Sequence, residues 1–423
     1  MTPEERRRKL QEIADHVVER LERDWPAADA HLNDLEDLAE QVGRELMREV
    51  SETLLQERAP QRASNHTPCA CGGRAGYRGD QSLTLVTSHG RIAVERAYFY
   101  CERCRTGQCP RDQEWGLGPA RATPTVQALV ADLAAEIAYT QTPHRLKRLG
   151  FPIHLGVKSV EEIAQRVGAR VRADPPRLDQ PATRPLAAAV DGVMCPLRAG
   201  AKEARCGIVY EPDWEAGRTP DECRGLNKEY VATLGSRESL MQAVVERVER
   251  RRPTPTTKVA ALGDGAHWIW EQYALQLPHR VEILDFYHLC QHLGNVAKAM
   301  RGAGTAAAAL WLKQTKQSLL KEGPAPLLEA VGAWEPANEN AAEVKRQEEG
   351  YFTANRERME YPEYVRQGFP IGSGAIEGAC KRVVSERFKR GGMRWNLETA
   401  EPLLHLRAAL LTRPDLDLRH YVS

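Results

Sequence analysis

Apolar residues recur at helical spacing through the first sixty positions. Leu10, Ile13, Val17 and Leu21 form one stripe, and Leu35, Leu38, Val42, Leu46 and Val50 form another, with "DWPAADAH" between them. This spacing predicts two helices across residues 4–58, the first stopping near Pro26. The pattern then switches to alternation in "SLTLVTS" and "RIAVERAYFY", joined at "HG", which predicts a β-hairpin. Residues 124–173 return to helical periodicity in three short segments, the second stopped by Gly150. The third, "KSVEEIAQRVGARVRADPP", has Ser159 placed as an N-cap and Glu162 three residues on, the pattern of a capping box. "DPPRLDQPATRP", residues 174–185, is Pro-rich and polar and reads as a linker.

From residue 186 the pattern becomes that of strands. "LAAAVDGVMCPLR", "ARCGIVYE" and "KEYVATLG" predict an antiparallel meander, and "SRESLMQAVVERVERRR" predicts an amphipathic helix. "TKVAALGDGAHW" and "HRVEILDFYHLCQHL" each carry a continuous apolar run leading into a helix, as parallel buried strands do. The order is β-β-β-α-β-α-β, a mixed sheet. A long stretch rich in Ala, Lys and Glu follows, and "GFPIGSG" then breaks the chain before a helix starting near Gly374. The fold class expected is multidomain α+β. It has a helical arm (1–60), a hairpin module (61–115), a helical domain (116–180), an α/β core (186–293), an all-helical insertion (294–367) and a second core part with C-terminal helices (368–423).

Composition changes this picture at two points. Four of the ten cysteines, Cys69, Cys71, Cys101 and Cys104, fall in two close pairs at opposite ends of the predicted hairpin. Four thiolates brought together by two turns suit one structural Zn²⁺, which would supply folding free energy to a module with little core of its own. Cys109 reads as a packed thiol. Charge is the second point. The net charge of +1 conceals an acidic arm, since residues 1–59 hold 16 acidic and 9 basic residues. Residues 378–396 hold 6 basic and 1 acidic, and residues 143–174 hold 7 basic and 3 acidic. Such asymmetry suits a polyanion-binding surface, and equally a solvated charged face. The third helix of the 124–173 segment carries Arg166 and Arg170 outside its apolar stripe, which suits a helix-turn-helix. The charged N-terminus and the lack of an apolar run of about 20 residues lead us to expect a cytoplasmic protein with no membrane partner.

Three acids stand out. Asp191 follows "LAAAV" and Asp264 follows "VAAL", neither with a Lys or Arg close by on its strand. A carboxylate in an apolar strand is costly to desolvate unless it is paired or metal-bound. Glu377 lies in the first turns of a helix, among Gly372, Gly374 and Gly378. Taken singly, each acid has an ordinary reading as a helix or turn cap, or as a Glu377–Lys381 helical pair. Taken together they suit two Mg²⁺ or Mn²⁺ ions clamping a phosphodiester.

The motifs "AAAVDGV", "ALGDGAHWIW", "ILDFYHLCQHL" and "PIGSGAIEGACKRVV…GGMRWN", in that order, resemble those of bacterial insertion-sequence DDE transposases of the ISKra-type family, over roughly residues 65–400. The resemblance implies an RNase H-like catalytic core with a helical insertion and an N-terminal zinc ribbon. It implies Asp191, Asp264 and Glu377 as the metal-binding triad. It also implies the partners: double-stranded DNA, both terminal inverted repeats and target, engaged by a homodimer or larger assembly in the bacterial nucleoid. Lys381, Arg382, Arg387, Lys389, Arg390 and Arg394 are expected along the DNA backbone, with His288 contacting DNA or steadying the site. A structure-selective RNase H-like nuclease or resolvase, and a non-catalytic DNA-binding regulator, stay open beside this reading.

Overall fold

The computed structural model describes residues 2–58, 64–214 and 223–422. They form a mixed α/β protein with two sheets, β1–β4 and β5–β9. The chain divides into two compact units, residues 1–170 with 417–423, and residues 171–416. The last seven residues, expected with the C-terminal helices of the core, therefore belong to the first unit.

In the first unit, β1 (His66–Pro68), β2 (Arg74–Thr87), β3 (Gly90–Cys101) and β4 (Thr106–Gln108) pair in sequence order. β2 and β3 are the expected hairpin, in antiparallel register from Thr87↔Gly90 outward. Leu83, Leu85, Ile92 and Val94 close a small core on one face, and Leu55 of the arm packs against it. The arm is two helices, Pro3–Arg23 and Leu32–Arg58. Only part of each stripe is covered: Ile13 and Val42 are buried, while Leu10, Leu35 and Leu46 stay exposed. The second helix is shared between two partners. Its Glu52 and Gln56 side chains accept from the β3 amides of Ala93 and Glu95 (3.4 and 2.9 Å), satisfying an otherwise open sheet edge.

The three helices after the hairpin are Pro124–Glu136, Thr142–Arg148 and Val157–Ala173. The third begins two residues before Ser159, so the expected capping box lies inside the helix and caps nothing. Ser/Thr-x-x-Glu is a weak signal unless a breaker fixes the start. The Val160 amide instead reaches Gly156 O at 3.1 Å, one turn earlier.

In the second unit, β5 (Leu186–Leu197), β6 (Gly200–Asp213) and β7 (Arg224–Thr233) form the antiparallel meander, and β8 (Val259–Gly263) and β9 (Arg280–Leu284) run parallel to β5. The strand order is β7-β6-β5-β8-β9. β5, β8 and the ends of β6 and β7 are apolar enough to be buried from both faces. The helix Leu397–Thr412 lies along edge strand β7. Its Thr412 hydroxyl accepts from the Tyr230 amide (2.9 Å), and Glu401 accepts from the Leu234 amide and the Thr233 hydroxyl (both 2.6 Å). Burial opposes ionisation of Glu401, but hydrogen bonds from His405, Thr233 and Leu234 outweigh it and bring the carboxyl down to about 2. A depressed folded-state value contributes stability above the unfolded pKa, lost as pH falls toward the folded one. Glu401→Gln is expected to lower stability by about 2 kcal/mol at pH 7, allowing for partial solvent screening. The deficit should narrow between about pH 4.5 and 2; urea midpoints of both proteins at pH 7 and pH 3 check this.

Residues 174–185 are a packed strap rather than a free linker. The Leu178 amide donates to Glu229 (3.0 Å), the Ala182 amide to Arg251 O (2.8 Å) and the Thr183 amide to Glu211 (3.3 Å). Both glutamates pair with buried Arg251. A Pro-rich strap has few amides to satisfy, and two buried carboxylates and one backbone carbonyl take these three.

Candidate functional site

The four cysteines come together. Cys69 and Cys71 lie on the β1–β2 turn, where the Cys69 amide bonds Gly73 O at 3.0 Å and the Gly72 amide bonds Cys69 O at 2.9 Å. Cys101 ends β3, and Cys104 lies on the turn into β4. Cys69 Sγ is 3.5 Å from Cys104 Sγ, and Cys71 Sγ is 3.6 Å from Cys101 Sγ. Sulfurs about 2.3 Å from a tetrahedral Zn²⁺ sit about 3.8 Å apart, so the donor set fits. Gly73 leaves room beside it, since a Cβ there would make tight contacts of 3.3 Å with Cys71 Sγ and with the Arg103 side chain. Thr106, whose hydroxyl is 2.9 Å from Cys104 Sγ, and then Cys69 pull the Cys104 thiol down to about 6, toward the thiolate that binds metal. Among the described residues this is the one group of three or more potential ligand atoms lying within 4.8 Å of one another. The cluster could hold a metal ion such as zinc.

The second site is built by strand register. β5 pairs with β8 as far as Ala189↔Leu262; extended two residues beyond the end of that pairing, the register brings Asp191 level with Asp264. β8 pairs with β9 at Gly263↔Leu284, and one residue further on it sets Asp264 beside Asp285. Neighbouring strands are about 4.8 Å apart, so the three acids fall in one row, Asp191 at the middle of β5 and Asp264 and Asp285 just past the carboxyl ends of β8 and β9. In open α/β sheets this end is where ligands bind.

Each carboxylate has its own surroundings. Asp191 accepts from the Gly192 amide at 2.6 Å and lies 3.8 Å from the Cys380 thiol. Burial first, and then the charges of Asp264 and Glu377, raise its pKa. Asp264 sits in a turn whose Ala266 amide donates to it at 2.9 Å. Asp285 is 1 % exposed and accepts from the His288 and Ser373 amides. It caps the helix Phe286–Arg301 and also ties down the strand-like segment before Glu377, whose Ile371 carbonyl accepts from the Phe286 amide at 2.9 Å. Glu377 is exposed on the short helix Gly374–Ala379 and takes a 3.3 Å hydrogen bond from Ser373 Oγ. A Cβ at Gly374 or Gly378 would meet nothing within 4 Å, so the chain itself leaves space around Glu377.

Asp191, Asp264 and Glu377 make no ion pair among the described residues, and the Glu377–Lys381 helical pair does not form. Their oxygens do not close to within 4.8 Å of one another. A pair of ions about 3.5–4 Å apart spreads its ligands more widely than one ion does.

After Glu377 the helix widens into a π-turn, Cys380–Ser385. Buried Arg407 donates to the Val383 carbonyl (2.8 Å) and to that of Arg382, satisfying groups that the wider turn loosens. Lys381, Arg382, Lys389, Arg390 and Arg394 are exposed, as expected of phosphate contacts. Arg387 is not. It is fully buried, 4.8 Å over the Trp395 ring and bonded to Met393 Sδ at 3.5 Å. It follows Val383 and Val384 by four and three residues, so helical periodicity already assigns it to the buried face. Trp395 packs on Phe388, and its Nε1 donates to Phe388 O at 3.1 Å.

The two arginines of the supposed recognition helix also differ from expectation. Arg166 lies across Gly118, with its Nε and Nη2 out of solvent and its pKa lowered by that burial. Arg170 is half-buried, with Nη1 3.4 Å from Tyr421 O. Both flank the apolar stripe and are covered by other segments of the first unit, which one helix viewed alone does not reveal. His288 is half-buried, its Nε2 3.4 Å from His292 Nε2.

Asp285 was missed as a site residue because an acid at a helix start looks like an ordinary cap. Its place one residue past a parallel strand was the available signal. Among known proteins, no family model matches the chain and no curated sequence matches it. No helix among the described residues is long and apolar enough to cross a membrane.

Proposed function

We propose that this chain is an RNase H-like DDE transposase that cleaves insertion-sequence ends and joins them to target DNA. One observation carries the reading: strand register sets Asp191 beside Asp264 without a cation partner, and the charge of Glu377 is felt at Asp191. The strand order β7-β6-β5-β8-β9, with the first three strands antiparallel, supports the RNase H-like assignment.

Asp191, Asp264 and Glu377 would hold two Mg²⁺ or Mn²⁺ ions, which when bound supply positive charge to the attacking and leaving oxygens of a phosphodiester. Asp285 holds the segment before Glu377 against the end of β9. The exposed cations beyond Glu377 would bind the DNA backbone that the acids alone repel. The zinc ribbon, with Arg74, Arg78, Arg103 and Arg105 near its turns, would add sequence-independent contacts.

Among the basic residues, Arg390→Ala is expected to reduce the slope of log affinity against log salt by about 1. Arg387→Ala is expected to leave that slope unchanged and to cost about 3 kcal/mol of stability. Binding titrations at several salt concentrations, with urea unfolding, separate the two.

The test of the function starts from the DNA flanking the gene. Terminal inverted repeats there define the substrate, and a labelled duplex carrying one repeat is incubated with the protein and Mg²⁺. Cleavage at the repeat boundary followed by joining to a second duplex is the expected result. Cleavage of branched DNA without joining would favour a resolvase. No metal-dependent cleavage of either DNA would overturn the reading.

A further inference from the structure

We propose that the helical insertion is part of the catalytic apparatus, with Tyr351 acting as a positioning residue for Asp264 and held in place by His292 and Glu348; this rests on the metal-binding reading above. Asp264 lies just past the end of β8, in the turn Gly263-Asp264-Gly265. A turn flanked by glycines has weak conformational preferences of its own, and within it only the Ala266 amide holds the carboxylate, so a contact from outside adds to its fixing. Tyr351, on the insertion helix Glu339–Ala354, donates from its hydroxyl to the Asp264 carbonyl at 2.9 Å. Its ring presses on the next residue. Gly265 has φ +100°, and a Cβ there would come within 2.7 Å of the ring.

The tyrosine is itself clamped. Its ring stacks on the His292 imidazole, with centroids 3.8 Å apart and planes 11° from parallel. His292 Nδ1 bonds a Glu348 oxygen at 2.6 Å, and Asn295 Nδ2 donates to the other at 2.8 Å. Glu348 is 7 % exposed, so two fixed donors orient a nearly buried carboxylate. His292 and Asn295 stand on the helix that Asp285 caps. Two neighbouring acids of the row, Asp264 and Asp285, are thereby connected: Asp285 starts the helix that carries His292, and His292 supports the tyrosine that holds the Asp264 backbone. Outer-shell partners of this kind commonly tune metal affinity by about 10- to 100-fold.

The test uses the full, zinc-loaded chain and Mn²⁺ alone as probe, read by the electron paramagnetic resonance signal of free Mn²⁺. Asp264→Asn is expected to abolish the tightest Mn²⁺ binding. Tyr351→Phe, which removes one oxygen, is expected to weaken that binding about 10-fold with an unchanged melting temperature. Glu348→Gln should weaken it in the same direction by about 3-fold. On DNA, the Tyr351→Phe loss should fall on kcat, with KM unchanged.

Wild-type Mn²⁺ affinity in Tyr351→Phe, alongside its loss in Asp264→Asn, would overturn this inference and leave the carboxylate reading standing. Undiminished Mn²⁺ binding in Asp264→Asn would overturn both. A melting temperature lowered by several degrees in Tyr351→Phe would show a packing role and overturn the positioning role.

Discussion

Asp264→Asn and Glu377→Gln are each expected to reduce Mg²⁺-dependent cleavage of a DNA end by at least on the order of 1000-fold, with the fold intact. Asp191→Asn is expected to have the same effect on activity and to raise stability. Its carboxyl is raised by burial and by its two acidic neighbours, so the ionised group is a cost to the metal-free fold. An amide keeps the Asp191 shape and removes that cost. The metal-free Asp191→Asn protein should melt about 2 °C above wild type, and added Mg²⁺ should stabilise it less than it stabilises wild type. Calorimetry with and without Mg²⁺ alongside the cleavage assay checks both. An unchanged or lower melting temperature would show that the carboxylate is already compensated within the protein, and would remove the reason for a cation there.

Removing metal from the cysteine cluster should unfold the hairpin module and leave the second unit folded. Structural zinc contributes about 10–16 kcal/mol of apparent binding free energy in small modules, which the four-residue core of Leu83, Leu85, Ile92 and Val94 cannot replace. A strong chelator, or Cys101→Ser, is expected to open the segment from His66 to Gln108 to protease. Circular dichroism of the helices in residues 171–416 should persist. Elemental analysis of purified protein should give one zinc per chain, falling to none in Cys101→Ser. Resistance to protease after complete metal removal would overturn the structural role.

Much of the fold can be read along the chain because its elements are local. The hairpin, both arm helices, the meander and the strand–helix alternation from 186 to 301 follow from periods of 2 and 3.6. The cysteine pairs are also local, since each turn presents its own two thiols. Mistakes arose where one segment was judged without its neighbours. The 174–185 strap looked like a linker because prolines and polar residues carry no sign of the buried glutamates that receive its amides. Arg166 and Arg387 looked like surface cations because charge was weighed above face.

The sequence by itself determined which residues form strands and helices, which four cysteines meet, and that Asp191 and Asp264 follow apolar strand runs, where an unpaired charge is costly. Only the tertiary structure decided that Asp191 and Asp264 are neighbours in register, that Asp285 joins their row, and that Tyr351 of the insertion holds the Asp264 turn. Periodicity reports the face on which a side chain lies. Which strand lies next to which, and which distant helix covers the end of a sheet, depends on packing between segments a hundred residues apart, and no local pattern encodes that.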